Sequence, residues 1–230
     1  MNPDELKQAA AEAAVAHIKS GMKLGLGTGS TAKHFVDAVG KKVKQGWDLV
    51  CVPTSEGTRK QAEILGIRLT TLDETPVLDV TIDGADEIDG KLRLIKGGGG
   101  ALLREKIVAS SSRKMIVIAD ASKKVSVLGK FPLPVEVVAF GIKATAIKID
   151  QALAWTRNKG PVALRMRDSK PFITDNGNVI LDCALRRIEN ADKLAAALSS
   201  IPGVVDHGLF IGMASLAIIA GDRGIEMLER

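Results

Sequence analysis

The sequence predicts an α/β protein: a three-layer domain with a mostly parallel sheet, joined by a smaller inserted α+β unit. Three observations carry that expectation. Strand and helix signals alternate through the first half, the strand segments are apolar throughout as in strands covered on both faces, and the pattern changes near Gly129. At 230 residues, roughly 70% of the unfolded chain's surface can be buried, so neither disulfides nor a structural metal are needed for stability. Hydrophobic residues at 46% and charged residues at 26% fit a globular chain and exclude disorder.

The first helix is expected to start at Asn2, which can cap it, with Pro3 at its first position, Glu5 reaching back and Gly21 at its exit. A short strand over 23–26, a Gly-rich turn and a helix over 30–44 follow. A second strand over 49–53 leads to a helix over 58–65 that Gly66 can end. Apolar, β-branched runs at 78–82 and 92–95 read as strands, then a helix over 101–110 and a buried strand over 114–119. Phe131-Pro132-Leu133-Pro134 breaks regularity and reads as a crossing segment. Beyond it, strands are expected at 135–138, 162–166, 172–174 and 179–182, with helices at 142–157 and 191–199. Asp175-Asn176-Gly177-Asn178 carries a hairpin-turn signal. Pro202-Gly203 then returns the chain to a strand-like Val204-Val205 and an apolar C-terminal stretch.

The balance of 32 Lys and Arg against 27 Asp and Glu leaves a net charge of +5, and residues 81–130 hold ten of the former against six of the latter. Such an excess suits a small anion but falls short of a nucleic-acid footprint, and 3% aromatics with no Tyr argue against base stacking. Cys51 and Cys183 are the only cysteines; without CxxC and with three His, the usual zinc spacings are excluded and buried thiols in a reducing compartment are expected. The opening MNPDELKQAA carries charge where a signal peptide needs an apolar run, and the apolar stretch 208–221 is too short to span a bilayer. A soluble cytoplasmic protein without membrane attachment is the expectation.

Three segments sit where an expected strand gives way to a helix or turn, the edge at which parallel α/β sheets bind ligands. In GLGTGST (25–31), glycines permit close backbone approach to an anion while Ser30 and Thr31 can cap a helix. It is neither a P-loop, since Lys33 follows the hydroxyls, nor a dinucleotide fingerprint, since Ser30 stands at the third glycine position; a tight turn with a helix cap is the alternative. In DGADE (83–87), Asp83 and Asp86 can both reach over the sheet edge; a plain acidic helix start or a divalent-metal site would also account for the cluster. In KGGGGALLREK (96–106), four consecutive glycines make sense where backbone wraps a ligand. Local sequence alone would put Glu105, between Arg104 and Lys106, on a solvated helix face; Lys123 and Lys124 are equally ambiguous, and His207 reads as a structural turn residue.

Taken together, in this order and spacing, the three segments resemble the type A ribose-5-phosphate isomerases. The likeness spans essentially the whole chain, including SKPFITDNGNVILD (169–182) and VDHGLF (205–210). One departure is visible: Leu103 stands where the family commonly has Thr before Arg-Glu-Lys, removing a hydroxyl near the helix start. The resemblance implies a Rossmann-like domain over 1–129 and 205–230, with a ferredoxin-like domain inserted over 130–204 that is a candidate for subunit contact. It implies a homodimer, tetrameric in some members, and the apolar C-terminal stretch is a second candidate for contact area.

It further implies interconversion of D-ribose 5-phosphate and D-ribulose 5-phosphate through an enediolate, in the non-oxidative pentose phosphate pathway, without metal or organic cofactor. By that resemblance Glu105 is the proton-shuttling base, and Asp83, Asp86 and Lys96 complete the catalytic set. Substrate contacts fall to Thr28, Gly29, Ser30 and Thr31, to Asp83, Gly84, Ala85 and Asp86, to Lys96, Gly97, Gly98 and Gly99, and to Lys123, whose charge suits the phosphate. A Glu base needs its pKa raised toward neutrality; burial would raise it and a nearby Lys96 would oppose that. Two rival classes share the general architecture. A sugar-phosphate-sensing repressor would need a helix-turn-helix ahead of the capped first helix, and a CoA transferase would use its Glu as a nucleophile.

Overall fold

The computed structural model describes residues 1–230. Helix α1 (Pro3–Ala14) opens with the expected capping box: Asn2 Oδ1 accepts the Asp4 and Glu5 N–H groups while Glu5 accepts the Asn2 N–H. It is shorter than expected. A 3₁₀ turn, Val15–His17, ends it, and Gly21, at φ +89°, instead turns the chain into strand β1 (Lys23–Leu26). There follow α2 (Ser30–Lys44), β2 (Val50–Pro53), α3 (Glu56–Ile64) and β3 (Arg68–Leu69), the last too short to leave a sequence signal. Next come β4 (Val80–Asp83), β5 (Glu87–Ile88), β6 (Leu94–Ile95), α4 (Leu102–Ser110) and β7 (Met115–Asp120).

The second half runs through β8 (Leu133–Val137), α5 (Ile142–Trp155), β9 (Val162–Leu164), β10 (Met166–Arg167), β11 (Lys170–Pro171) and β12 (Val179–Cys183). It finishes with α6 (Ala191–Ser199), β13 (Val204–His207), β14 (Leu209–Phe210), β15 (Ala214–Gly221) and β16 (Gly224–Glu229).

The main sheet has the order β16-β15-β7-β4-β1-β2-β3, parallel except for the antiparallel edge strand β16. From β1 the chain winds outward to β2 and β3, then returns to the other side of β1 for β4, β7 and β15. That reversal places a topological switch point between β1 and β4. Strand β7 shows why its segment is apolar without alternation. Ile116 and Ile118 pack on the layer that contains α1 and α2, while Met115, Val117 and Ala119 pack on the opposite layer with Phe210 and Leu94.

The small unit is a four-stranded antiparallel sheet, β13-β8-β12-β9, with α5 and α6 on one core; its β-α-β-β-α-β order is ferredoxin-like. Two short strands, β10 and β11, form a separate hairpin inside it. A three-stranded sheet, β14-β6-β5, lies between the two units.

Several sequence expectations need correction. Leu133-Pro134 is not part of a crossing segment but begins β8, a strand flanked on both sides. The proline is tolerated because the nearby Gly208 carbonyl accepts the Lys96 N–H (2.9 Å), while the Gly208 N–H donates to Pro134 O (2.7 Å). Residues 172–174 form no strand; Ile173 makes a single bridge to Val179 across the Asp175–Asn178 turn. Because β13 completes the small sheet, that unit extends past residue 204 to His207. The apolar C-terminal stretch is no contact surface either: β15 lies inside the main sheet, with Ala217, Ile218, Ile219 and Ala220 at most 1% exposed.

Candidate active site

Three loops meet at the switch point. The one after β1 turns at Gly29, where φ is +111°, and is held from two sides. From below, Asp83 Oδ1 accepts the Thr28 N–H (3.0 Å) and the Gly84 N–H (2.7 Å), which locks the first loop to the second. A Cβ on Gly27 would stand 2.2 Å from that carboxylate, so only glycine fits there. From the side, the Thr28 hydroxyl joins those of Thr54 (2.7 Å), Ser55 (2.8 Å) and Thr58 (3.1 Å), a cluster from the β2–α3 turn with no counterpart in the sequence reading.

The second loop is tied to the third by Asp86, whose Oδ2 accepts the Gly98 N–H at 2.7 Å. In the third, Gly97 and Gly100 adopt φ +100° and +85°, conformations that favour glycine. The three acids of DGADE therefore serve separate partners. Glu87 turns away and accepts the Gly129 and Phe131 N–H groups. No cluster of three or more His, Cys, Asp or Glu side chains is arranged to hold a metal ion.

At the centre lies the Lys96 ammonium, 2% exposed. It donates to Gly84 O and stands 3.0 Å from Asp83 Oδ2 and 3.3 Å from Glu105 Oε1. Burial disfavours its charge, yet the Asp83 and Glu105 carboxylates outweigh that and hold its pKa above the ordinary lysine value. Burial also raises Asp83, against the pull of Lys96 and of its two backbone donors. For Glu105, burial again dominates: Lys96 draws its pKa down, Asp83 and Asp86 push it up, and the carboxyl settles at about 8. Glu105 is 4% exposed, and its Oε2 has no hydrogen-bond partner. Lying in the first turn of α4, it faces the cleft, contrary to the solvated position that its charged neighbours suggest.

Those neighbours are committed elsewhere. Arg104 donates to Glu56 Oε1, Asn176 Oδ1 and Asp175 O, all at 3.0 Å. Lys106 donates to Asp206 and to the His207 carbonyl, and its ammonium lies 4.9 Å from the Phe210 ring centre. His207 is structural, though it ends strand β13 rather than lying in a turn: Nδ1 accepts the Leu209 N–H, Nε2 faces the Ala195 carbonyl and Ser199 hydroxyl, and burial lowers its pKa to about 4.

The loops line a cleft in which Ala85 is the one apolar lining residue. Its walls are residues 28–31, Gly84, Ala85, Asp86, residues 96–99, Glu105 and Lys123. Every candidate site residue read from the sequence is brought there except Asp83, which is fully enclosed behind Lys96 and does not reach the wall. The structure also separates the ambiguous lysines. Lys123, on the 3₁₀ turn after β7, borders the cleft, whereas Lys124 pairs with Glu226. A polar hollow with a recessed cation, a rim cation, backbone amides and a buried carboxylate of raised pKa suits a small polyhydroxylated anion and proton transfer within it.

Comparison with known proteins bears on the same chemistry. The family model described as ribose 5-phosphate isomerase A (phosphoriboisomerase A) matches residues 50–224. The ribose-5-phosphate isomerase A of Parvibaculum lavamentivorans is 60% identical over 230 residues, covering all of both chains, and that of Rhodopseudomonas palustris strain HaA2 is 58% identical over 231, again covering both. Among solved structures, a ribose 5-phosphate isomerase from Plasmodium falciparum superposes with a TM-score of 0.93 at 40% identity over 99% of each chain. A D-ribose-5-phosphate isomerase in complex with phospho-erythronic acid reaches 0.93 at 39% identity over the full length of both. On sequence, on fold and on the contents of its cleft, the chain belongs to the ribose 5-phosphate isomerase A family of aldose–ketose isomerases.

Proposed function

We propose that Glu105 carries the proton that interconverts ribose 5-phosphate and ribulose 5-phosphate in this chain. From the open aldose, Glu105 removes the C2 hydrogen as a proton. The C–H pair becomes the C1–C2 double bond, and the former carbonyl oxygen takes the negative charge of an enediolate. Glu105 then returns the proton to C1, and the O2 hydrogen leaves O2 for O1 to give the ketose. The observation that carries this reading is a buried carboxyl on the cleft wall, one oxygen against Lys96 and the other without a partner.

Lys96 faces the developing enediolate with a fixed charge that needs no reorganisation. Asp86 meets sugar hydroxyls, and Asp83 acts from behind by keeping Lys96 protonated and the first two loops in register. Lys123 and the residues 28–31 turn receive the phosphate, with N–H groups and hydroxyls at the start of α2. The phospho-erythronic acid held by a relative is a phosphorylated sugar acid, which supports a ligand of this chemistry. A homodimer and a cytoplasmic setting belong to the same proposal. Phe140, 93% exposed on the small unit, offers apolar surface to a second copy, and the buried free thiols Cys51 and Cys183 suit a reducing compartment.

Glu105→Gln keeps the shape and removes the base, so turnover in a ketopentose assay is expected to fall about a hundredfold or more; near-native turnover would refute the assignment. Since the competent base is ionised, kcat/KM for ribose 5-phosphate should rise with pH and level off near the Glu105 pKa of about 8. A flat profile from about pH 6.5 to 8.5 would contradict it.

The raised pKa also fixes a sign for stability. The fold keeps the Glu105 proton between the ordinary value of 4.5 and about 8, so the stability this contributes is full below that window and is lost as pH rises through it. Glu105→Gln has no proton to lose, and its Tm should gain on that of the parent between about pH 5 and pH 9; a difference independent of pH would speak against the shift. Lys123→Ala should raise the KM for the phosphorylated sugar with a smaller effect on kcat, and an unchanged KM would remove Lys123 from phosphate binding.

A further inference from the structure

The ferredoxin-like unit touches the glycine loop of the cleft without lining the cleft itself. Arg165 lies between β9 and β10, its backbone pinned by the Arg165 N–H to Ile180 O (2.8 Å) and the Phe172 N–H to Arg165 O (2.9 Å). Its guanidinium forks onto both oxygens of Asp182, at 2.6 and 2.9 Å. Its remaining nitrogen, Nη1, donates to the carbonyls of Gly97 (2.8 Å) and Gly98 (3.1 Å), two successive peptides of the glycine loop.

In a trans peptide the carbonyl and the following N–H point in opposite directions. Drawing the Gly97 and Gly98 carbonyls toward Arg165 therefore turns the Gly98 and Gly99 N–H groups the other way. The first is taken by Asp86 at 2.7 Å; the second has no partner within the protein, and Gly99 borders the cleft. Phe172, 8% exposed and also from the small unit, closes the far end of the loop: its ring lies where a Cβ on Gly100 would be, 2.3 Å away.

We infer that Arg165 is a positioning residue for substrate binding, braced by Asp182, which presents the Gly99 amide to an oxygen of the bound sugar phosphate. The inference rests on the reading of this cleft as the sugar-phosphate site. Because Asp182 already pairs the charge, the contribution is one of geometry: a planar fork spans a carboxylate and two carbonyls at once, and a lysine ammonium cannot.

The test uses full-length Arg165→Met and Arg165→Lys in parallel with the parent protein. Steady-state kinetics with ribose 5-phosphate, inhibition by phospho-erythronic acid, and Tm are measured on each. Arg165→Met should raise both the KM and the inhibition constant about tenfold, the equivalent of one charge-assisted hydrogen bond, with a smaller fall in kcat. Arg165→Lys should lie between the two, and the pH at which kcat/KM levels off should not move, since Glu105 is untouched. A lower Tm with unchanged KM and inhibition constant would make Arg165 a stability residue and overturn the inference. If Arg165→Met fails to fold, Arg165→Lys decides by the same criterion. A parent protein that forms no ketopentose would overturn the functional reading and this inference with it, whereas parent turnover with unaltered constants in the variants overturns this inference alone.

Discussion

A single ammonium buried between two carboxylates governs this structure. Lys96 carries one positive charge; Asp83 and Glu105, if both ionised, carry two negative ones, at 3.0 and 3.3 Å from the same nitrogen. A dry pocket tolerates a balanced pair far better than a net charge, so one of the acids tends to keep its proton. Each has one oxygen without a hydrogen-bond partner, but the other oxygen of Asp83 accepts two backbone N–H groups that stabilise its anion, and Glu105 accepts none. The asymmetry of hydrogen bonding thus selects which acid holds the mobile proton. The two acids separate on that basis: Asp83 fixes the loops, and Glu105, on the cleft wall, is the carboxyl that burial lifts to about 8.

The sheet supplies the site, and the inserted unit completes it. Winding in opposite directions from β1 leaves the ends of β1 and β4 facing one crevice, and β6 delivers the glycine loop to the same place. Three consecutive residues of α4 then point to three different structures. Arg104 grips the hairpin at 175–176 and Glu56, Glu105 enters the cleft, and Lys106 binds the strand β13. The helix is tethered to its surroundings on either side of the carboxylate, which fixes where that carboxylate stands.

Regular elements were legible where the local signal and the tertiary environment agree. Helices α2 and α6 and strand β1 lie where periodicity places them, although Gly29 stands at the start of α2 without a side-chain cap, where the sequence predicts one from Ser30 or Thr31. Pro134 misled because its cost depends on a carbonyl partner 74 positions later, which no local pattern reports. Glu105 misled for a related reason: residues adjacent on a helix point about 100° apart, so charged neighbours say nothing of the face between them. What located it was the set of three segments read jointly. Arg165 and the Thr54, Ser55 and Thr58 hydroxyls left no such trace, since each contacts its loop across 26 or more positions through ordinary surface residue types.

The glycine loop has a consequence for how such an enzyme changes over time. Gly97, Gly98 and Gly100 are each hemmed in, by Leu102, by Asp86 and Phe131, and by Phe172, so added side chains would collide within 3 Å. What the loop offers to the cleft is main chain, whose chemistry is identical whatever the gene encodes. Drift at these codons is confined to loss, and any change in the shape of the cleft must be written into the residues around them.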